Sequence, residues 1–290
     1  MIIVTGANGR LGRAIVLQLL ERVAAERVGV SVRDVAGAAD LAARGVRVRR
    51  GDFAEPASLA EAFAGAAQVL IVSSNAAARG GDPLAQHRAA IDAARAAGAR
   101  RVVYTSHMGA SDGSAFPPMR DHAATEAMLA GSGLAWTALR NGFYADSGLM
   151  LMGDALVTGV LAAPADGKVA WTAHADLARA AAIVLTDPAP TDGPTAPLTA
   201  ELALDLADLA RIASELGRPV RRELISDDEL AARMAARGAP AAAVRIALGL
   251  YQASRRGEFG QVDPTLARLV DGPPCSMHTL VAAQLAAAPR

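Results

Sequence analysis

The first residues whose types and order suggest chemistry are Thr5-Gly6-Ala7-Asn8-Gly9-Arg10-Leu11-Gly12, near the start of a 290-residue chain. Glycines in a G-x-x-G-x-x-G pattern suit a turn that wraps an anion. Gly6 allows a sharp turn, Gly9 lets backbone approach a diphosphate, and Gly12 lets the next helix pack closely on the strand before it. An apolar run, Ile2 to Val4, leads into the turn, and a helical pattern (Ala14, Ile15, Leu17, Leu19, Leu20) follows it. Such a helix aims its free N–H groups and the positive end of its dipole at the anion. Strand, glycine turn and helix in this order is the context in which the motif reads as a dinucleotide site. Gly6, Asn8, Gly9, Arg10, Leu11 and Gly12 are therefore cofactor-binding candidates.

The elements needed to position that turn alternate along the first half. Arg27 to Arg33 is β-rich, Ala39 to Arg44 helical, and Val46 to Val48 a third strand leading into Gly51-Asp52-Phe53. A helix capped by Ser58, with Glu61 at its third position, is expected next. Gln68 to Val72 and Arg101 to Ser106 are strands, separated by a long helix from about Pro83 to Ala97 that stops at Gly98. Leu134 to Leu139 is a sixth apolar strand. This alternation predicts an α/β fold, a doubly wound parallel sheet of Rossmann type with helices on both faces.

Ligands of such sheets lie beyond the carboxyl ends of the strands. After the second strand stand Arg33 and Asp34. An arginine there can grip a 2′-phosphate and stack on adenine, which favours NADP, and Arg10 is within reach of the same phosphate. The alternative is that Asp34 holds the ribose of NAD. Asp52 and Phe53 are placed to meet the adenine, with a turn carboxylate as the other reading of Asp52. Ser73, Ser74 and Asn75 after the fourth strand, and Thr105 and Ser106 after the fifth, suit ribose and nicotinamide contacts.

Composition bounds the function. The formal net charge is zero, which gives no reason to expect a nucleic-acid or anionic-membrane partner. The chain is 52% hydrophobic, but no uninterrupted apolar run approaches a membrane span. The first strand begins at Met1, leaving no room for a leader, so a cytoplasmic protein is expected. One cysteine, Cys275, excludes an intrachain disulfide, and five scattered histidines lack metal-ligand spacing. Lys168 is the only lysine among 29 basic residues. The Tyr-x-x-x-Lys helix that exchanges a proton in most short-chain dehydrogenases therefore has no counterpart before residue 168.

At this point the chain resembles the NmrA-like branch of atypical short-chain dehydrogenase/reductases, and within it the bacterial NADPH-dependent quinone oxidoreductases. The resemblance runs through Thr5 to Gly12, Ser31-Val-Arg33, Gln86-His87-Arg88, Ala93 to Gly98, and Tyr104-Thr-Ser106. It continues through His122 to Leu129, Leu139 to Tyr144, Asp166-Gly-Lys168 and Ala175 to Ala178, and fades after about residue 200. Arg140-Asn-Gly-Phe-Tyr144 is its most specific piece.

The resemblance implies hydride transfer from NADPH to a quinone or similar small electrophile. The segment Asn141, Gly142, Phe143 is then expected to bind the cofactor. Tyr144 is the candidate for orienting the substrate, and His107 or His122 for supplying a proton. Packing of Tyr144 under the loop, structural histidines, and a Glu126–His122 pair are the plainer alternatives. The other functional class is a non-catalytic NADP-sensing regulatory protein with a protein partner. The domain reading is 1–142 for cofactor, with about 175–200 returning to it, and 143–174 plus 201–290 as a smaller, mainly helical C-terminal substrate lobe. In that lobe Thr199 is expected to cap a helix to about Leu216, with further helices at Asp227 to Arg237, Ala241 to Ser254 and Pro264 to Leu269. Met234, Leu248, Leu250 and Tyr251 form either a lid or core. A homodimer is the candidate assembly.

Overall fold

The computed structural model describes residues 1–287. Its first half alternates as β1 (Ile2–Thr5), α1 (Arg10–Leu20), β2 (Val28–Val32), α2 (Ala39–Ala43), β3 (Arg47–Arg50) and α3 (Pro56–Ala62). It continues with β4 (Gln68–Ile71), α4 (Pro83–Ala96), β5 (Arg101–His107), α5 (Pro117–Ala130) and β6 (Ala135–Asn141). Then follow β7 (Phe143–Tyr144), α6 (Ala145–Met152), α7 (Ala155–Thr158), β8 (Val160–Ala163), β9 (Trp171–Thr172) and α8 (His174–Thr186). The last elements are β10 (Gly193–Pro194), α9 (Leu206–Glu215), β11 (Arg221–Leu224), α10 (Asp227–Ala236), α11 (Ala241–Arg255), α12 (Thr265–Leu269) and α13 (Met277–Ala287).

Seven strands form one sheet in the order β10-β6-β5-β4-β1-β2-β3, every pair parallel. β1 shows why. Ile2 and Val4 pack with Leu11, Ile15 and Leu19 of α1 on one face, while Ile3 packs with Leu59 and Phe63 on the other. A strand apolar on both faces must be central, with helices covering each side. Each buried aliphatic contributes about 1.5–3 kcal/mol to that arrangement. Strand order reverses between β1 and β4, which opens a crevice at their carboxyl ends.

The remaining chain builds on this frame. α8 returns to the sheet, where Leu177, Ala178 and Ala181 share a core with Leu11, Ile15 and Leu19. β10 extends the sheet beside β6. Two small parallel pairs, β7 with β9 and β8 with β11, belong to a C-terminal helical region. Phe143, Trp171, Leu209, Tyr251 and Phe259 lie in its separate core. Tyr251 is buried there and Leu250 packs against the same core, so both serve packing. No helix among the described residues is long and apolar enough to cross a membrane.

Two expected caps are displaced. α3 begins at Pro56, whose fixed φ suits a first helical position, with Glu55 as its N-cap. Ser58 lies inside it and ties the preceding turn, accepting from the Asp52 N–H at 2.8 Å and donating to the Glu55 carbonyl at 2.7 Å. Thr199 starts no helix; its hydroxyl accepts from the Asp263 N–H at 2.8 Å. α9 begins later, at Leu206, because Asp205 and Asp208 form a reciprocal capping box.

Candidate active site

A cleft of about 480 Å³ opens at the strand-order reversal, lined by Thr5, Gly6, Asn8, Gly9, Arg33 and Asp34 on one side. Asp52, Phe53, Ser73, Ser74 and Asn75 line the other. Gly6 has φ +65°, a left-handed conformation that disfavours any side chain. At Gly12 an added Cβ would lie 2.5 Å from the Gly6 carbonyl oxygen, so only glycine lets α1 seat directly on the turn. The N-cap, Gly9, supplies no side-chain hydrogen bond, and the first turn of α1 has no acidic residue. The amides of Arg10, Leu11 and Gly12 are therefore left for an anion, and a dinucleotide diphosphate fits that donor set. Leu11's side chain is buried in the core, so any part it plays is through its amide.

Beyond the end of β2, Arg33 is exposed and has no side-chain hydrogen bond or ion pair among the described residues. Asp34 is engaged locally: its carboxylate accepts from the Ala36 N–H at 3.0 Å, and its carbonyl accepts from Asn8 Nδ2 at 2.7 Å. Asn8 thus braces the turn against the end of β2. Arg10 is engaged by a carboxylate. It forms an ion pair with Asp146 on α6, and Asp146 also holds His174 Nδ1 at 2.5 Å. The carboxylate fixed by His174 draws Arg10 toward α6. Asp146 is held below the usual carboxylate range, because His174 and Arg10 outweigh the upward push of its burial. Asp52 accepts from the Ala54 N–H at 2.9 Å, a turn carboxylate, while half-buried Phe53 offers its ring to the cleft.

The far end of the crevice is braced from behind. Thr5 Oγ1 accepts from the Val72 N–H and Thr105 Oγ1 from the Ser73 N–H, both at 2.9 Å. Thr105 is fully buried, so it shapes the Ser73-Ser74-Asn75 turn instead of facing the cleft. Ser106 is also directed inward, donating to Glu126 at 2.6 Å. Glu126 pairs with Arg140 through two bonds, at 3.1 and 2.7 Å, and not with His122. The planar guanidinium matches the carboxylate's two oxygens, which an imidazole cannot do. His122 Nδ1 instead meets the Tyr104 hydroxyl at 2.8 Å.

The loop after β6 crosses this end. Asn141 is buried, and its Oδ1 has no hydrogen-bond partner. A buried unpaired acceptor is costly, and an amide or hydroxyl donor from a ligand would satisfy it. Gly142 is packed too tightly for a side chain: a Cβ would lie 2.2 Å from Thr172 Oγ1. It threads the loop between strands and presents no side chain to a ligand. Phe143 meets His107, Phe116, Phe259 and Trp171 at ring-centroid distances of 5.0 to 5.7 Å. Tyr144 stacks on His174 at 4.4 Å, and burial raises the pKa of its hydroxyl despite the neighbouring Asn141 amide. His107 is buried, accepts from the Gly109 N–H at its Nδ1, and is kept neutral by desolvation.

A family model described as NAD(P)H-binding matches residues 6–188, from the first glycine of the turn to the end of α8. The chain belongs to this NAD(P)H-binding family. Among curated proteins it is 36% identical to Quinone oxidoreductase 2 of Escherichia coli, over 94% of each chain. Among solved structures, the E. coli NADPH-dependent quinone oxidoreductase QOR2 complexed with NADPH superposes with a TM-score of 0.91 at 33% identity, covering 98% of this chain and 100% of that one. The Citrobacter sp. triphenylmethane reductase complexed with NADP(H) gives 0.88 at 30%, covering 98% and 99%. The resemblance to NmrA-like reductases is thus shown along the chain.

His174 carried no sequence signal, although it holds Asp146 at the end of the segment Asn141 to Asp146 expected to line the crevice. His87 accepts the Ser74 N–H at 2.8 Å and so supports the same turn as Thr105. Its place in the Gln86-His87-Arg88 resemblance was the one clue. Lys168 is a half-exposed residue pairing with Asp205 and Asp208 at the start of α9.

Proposed function

We propose that this chain is an NADPH-dependent reductase that delivers hydride to a quinone or similar small electrophile, without a Tyr–Lys proton relay. The observation that carries this reading is the far end of the crevice. Behind it stand neutral imidazoles, the unpaired oxygen of buried Asn141 and buried Phe143, and there is no Tyr–Lys pair. Such a site suits a substrate whose reduced oxyanion is stabilised by its own aromatic ring and takes its proton readily from water. The whole-length likeness to a quinone oxidoreductase supports the same reading.

Bound NADPH supplies the hydride. The chain's residues do the rest. The α1 amides with Gly6 and Gly9 hold the diphosphate, Arg33 grips the 2′-phosphate, and Asp52 and Phe53 border the adenine. Ser73, Ser74 and Asn75 face the ribose, with Thr105 and His87 bracing them. Asn141 Oδ1 accepts from the nicotinamide carboxamide, Phe143 backs the ring, and Tyr144 orients the substrate. His107 offers a neutral N–H near the same place. Residues 143–174 and 201–290 act as the substrate lobe. The expected setting is cytoplasmic with a small-molecule substrate, and a homodimer is the assembly to test.

The test is NADPH consumption with and without a benzoquinone or naphthoquinone, with NADH in parallel. Quinone-dependent loss that is faster with NADPH supports the proposal. Tight NADPH binding without turnover across several quinones would overturn it in favour of a cofactor sensor. Tyr144→Phe at full turnover would remove the hydroxyl from the account and leave the ring.

A further inference from the structure

Three of the five histidines gather behind the crevice, and backbone N–H donors fix which nitrogen carries the proton in His87 and His107. His87 Nε2 accepts the Ser74 N–H, so its proton sits on Nδ1, facing Thr125 Oγ1 at 2.8 Å. Thr125 in turn donates to the Asp121 carbonyl at 2.7 Å. Tyr104 is fully buried on β5, and its hydroxyl lies 2.8 Å from His122 Nδ1. A buried phenol needs a hydrogen-bond partner, and His122 Nδ1 lies within bonding distance of it. Donation from the Tyr104 hydroxyl to His122 Nδ1 leaves the remaining proton of His122 on Nε2, the tautomer that a donating Nε2 requires.

His122 is half-buried on the face of α5 turned toward β5. Its ring centroid lies 6.0 Å from that of His107 at the carboxyl end of β5, and His107 packs at 5.2 Å on Phe143 of the loop after β6. Its Nε2 has no protein partner among the described residues. Glu126, one helical turn on, is engaged by Ser106 and Arg140 and does not draw a second proton to the imidazole. Burial works in the same direction, holding His122 neutral.

We propose that His122 is a catalytic residue that donates its Nε2–H to the substrate oxygen on which negative charge develops, and that Tyr104 is the positioning residue that holds it in this tautomer. This rests on the reductase reading above. Addition of one hydride equivalent to a quinone leaves NADP⁺ and a hydroquinone monoanion, and the proton that completes the hydroquinone comes from solvent. His122 keeps its own proton throughout. A neutral imidazole placed in advance beside a developing oxyanion stabilises it without reorganisation.

The experiment combines turnover with nitrogen NMR of ¹⁵N-histidine-labelled full-length protein. His122→Phe should lower kcat for a naphthoquinone by roughly 10- to 100-fold, the worth of a hydrogen bond to a charged group. Its affinity for NADPH should be unchanged. His122→Gln, which keeps an N–H, should recover much of the loss. The His122 resonances should show a protonated Nε2 and a bare Nδ1, and Tyr104→Phe should turn this into a tautomer mixture with a several-fold lower kcat. A kcat within twofold of wild type in His122→Phe, equal losses in the Phe and Gln variants, or a protonated Nδ1 in wild type would each overturn the proposal. Absence of quinone turnover in the wild type would instead sink the reductase reading, and the NMR result is independent of it.

Discussion

Arg33 offers the sharpest test of cofactor choice. It is exposed at the cleft mouth without a partner, while the neighbouring carboxylate of Asp34 is engaged by the Ala36 N–H. Replacing it with alanine removes one positive charge and a fork of donors. A sheltered charge-assisted contact of that kind contributes about 1.5–3 kcal/mol. Exposure to solvent and salt lowers this to about 1–2 kcal/mol for Arg33. NADPH affinity should therefore fall roughly 5- to 30-fold. NADH, which has no 2′-phosphate, should bind as before. Cofactor fluorescence titrations at low and high salt measure both. The wild-type preference for NADPH should shrink with salt, and the variant should show little salt dependence in that preference. An equal loss for both cofactors, or none for either, would refute a phosphate grip by Arg33.

Further outcomes follow from the packing. Gly12→Ala places a methyl 2.5 Å from the Gly6 carbonyl oxygen, and such overpacking costs about 1–3 kcal/mol, so Tm should drop by several degrees and NADPH should bind more weakly. Unchanged melting would mean that α1 can slide off the turn. Arg140→Ala leaves Glu126 largely buried and unpaired, which should cost about 3 kcal/mol in a denaturant titration, whereas an intact midpoint would show the pair to be dispensable. His87 is nearly fully buried, and desolvation lowers its pKa to about 4. The unfolded chain takes up that proton near pH 6.5 and the folded one does not. The stability contributed by neutral His87 is thus complete above pH 6.5 and declines as pH falls toward about 4. Melting curves between those values should slope accordingly, more gently in His87→Gln.

What could be read from the sequence was local. The glycine turn, the strands flanking it and the residues at strand ends depend on neighbours a few positions apart, and they reappear in the cleft lining. Pairings between distant segments could not be read. Arg10 was assigned to a phosphate, yet Asp146 lies 136 residues away in sequence and faces it across the crevice. Thr105 and Ser106 sit at the expected strand end, but alternation of side chains along β5 and its neighbours turns their hydroxyls to the Ser73 amide and to Glu126. Helix spacing suggested Glu126 beside His122, and a bidentate arginine on β6 overrode it. Thr199 and Ser58 have the right chemistry for caps, but tertiary partners at Asp263 and Asp52 took their hydroxyls.

The central claim is that hydride passes from nicotinamide to a quinone within this crevice. A single-turnover experiment with NADPH deuterated at the transferring C4 position tests it most directly. The account predicts quinone-dependent loss of cofactor absorbance that is slower with the deuterated cofactor and slower still in His122→Phe. Tight binding of NADPH with no quinone-dependent oxidation, under any quinone tried, would contradict it.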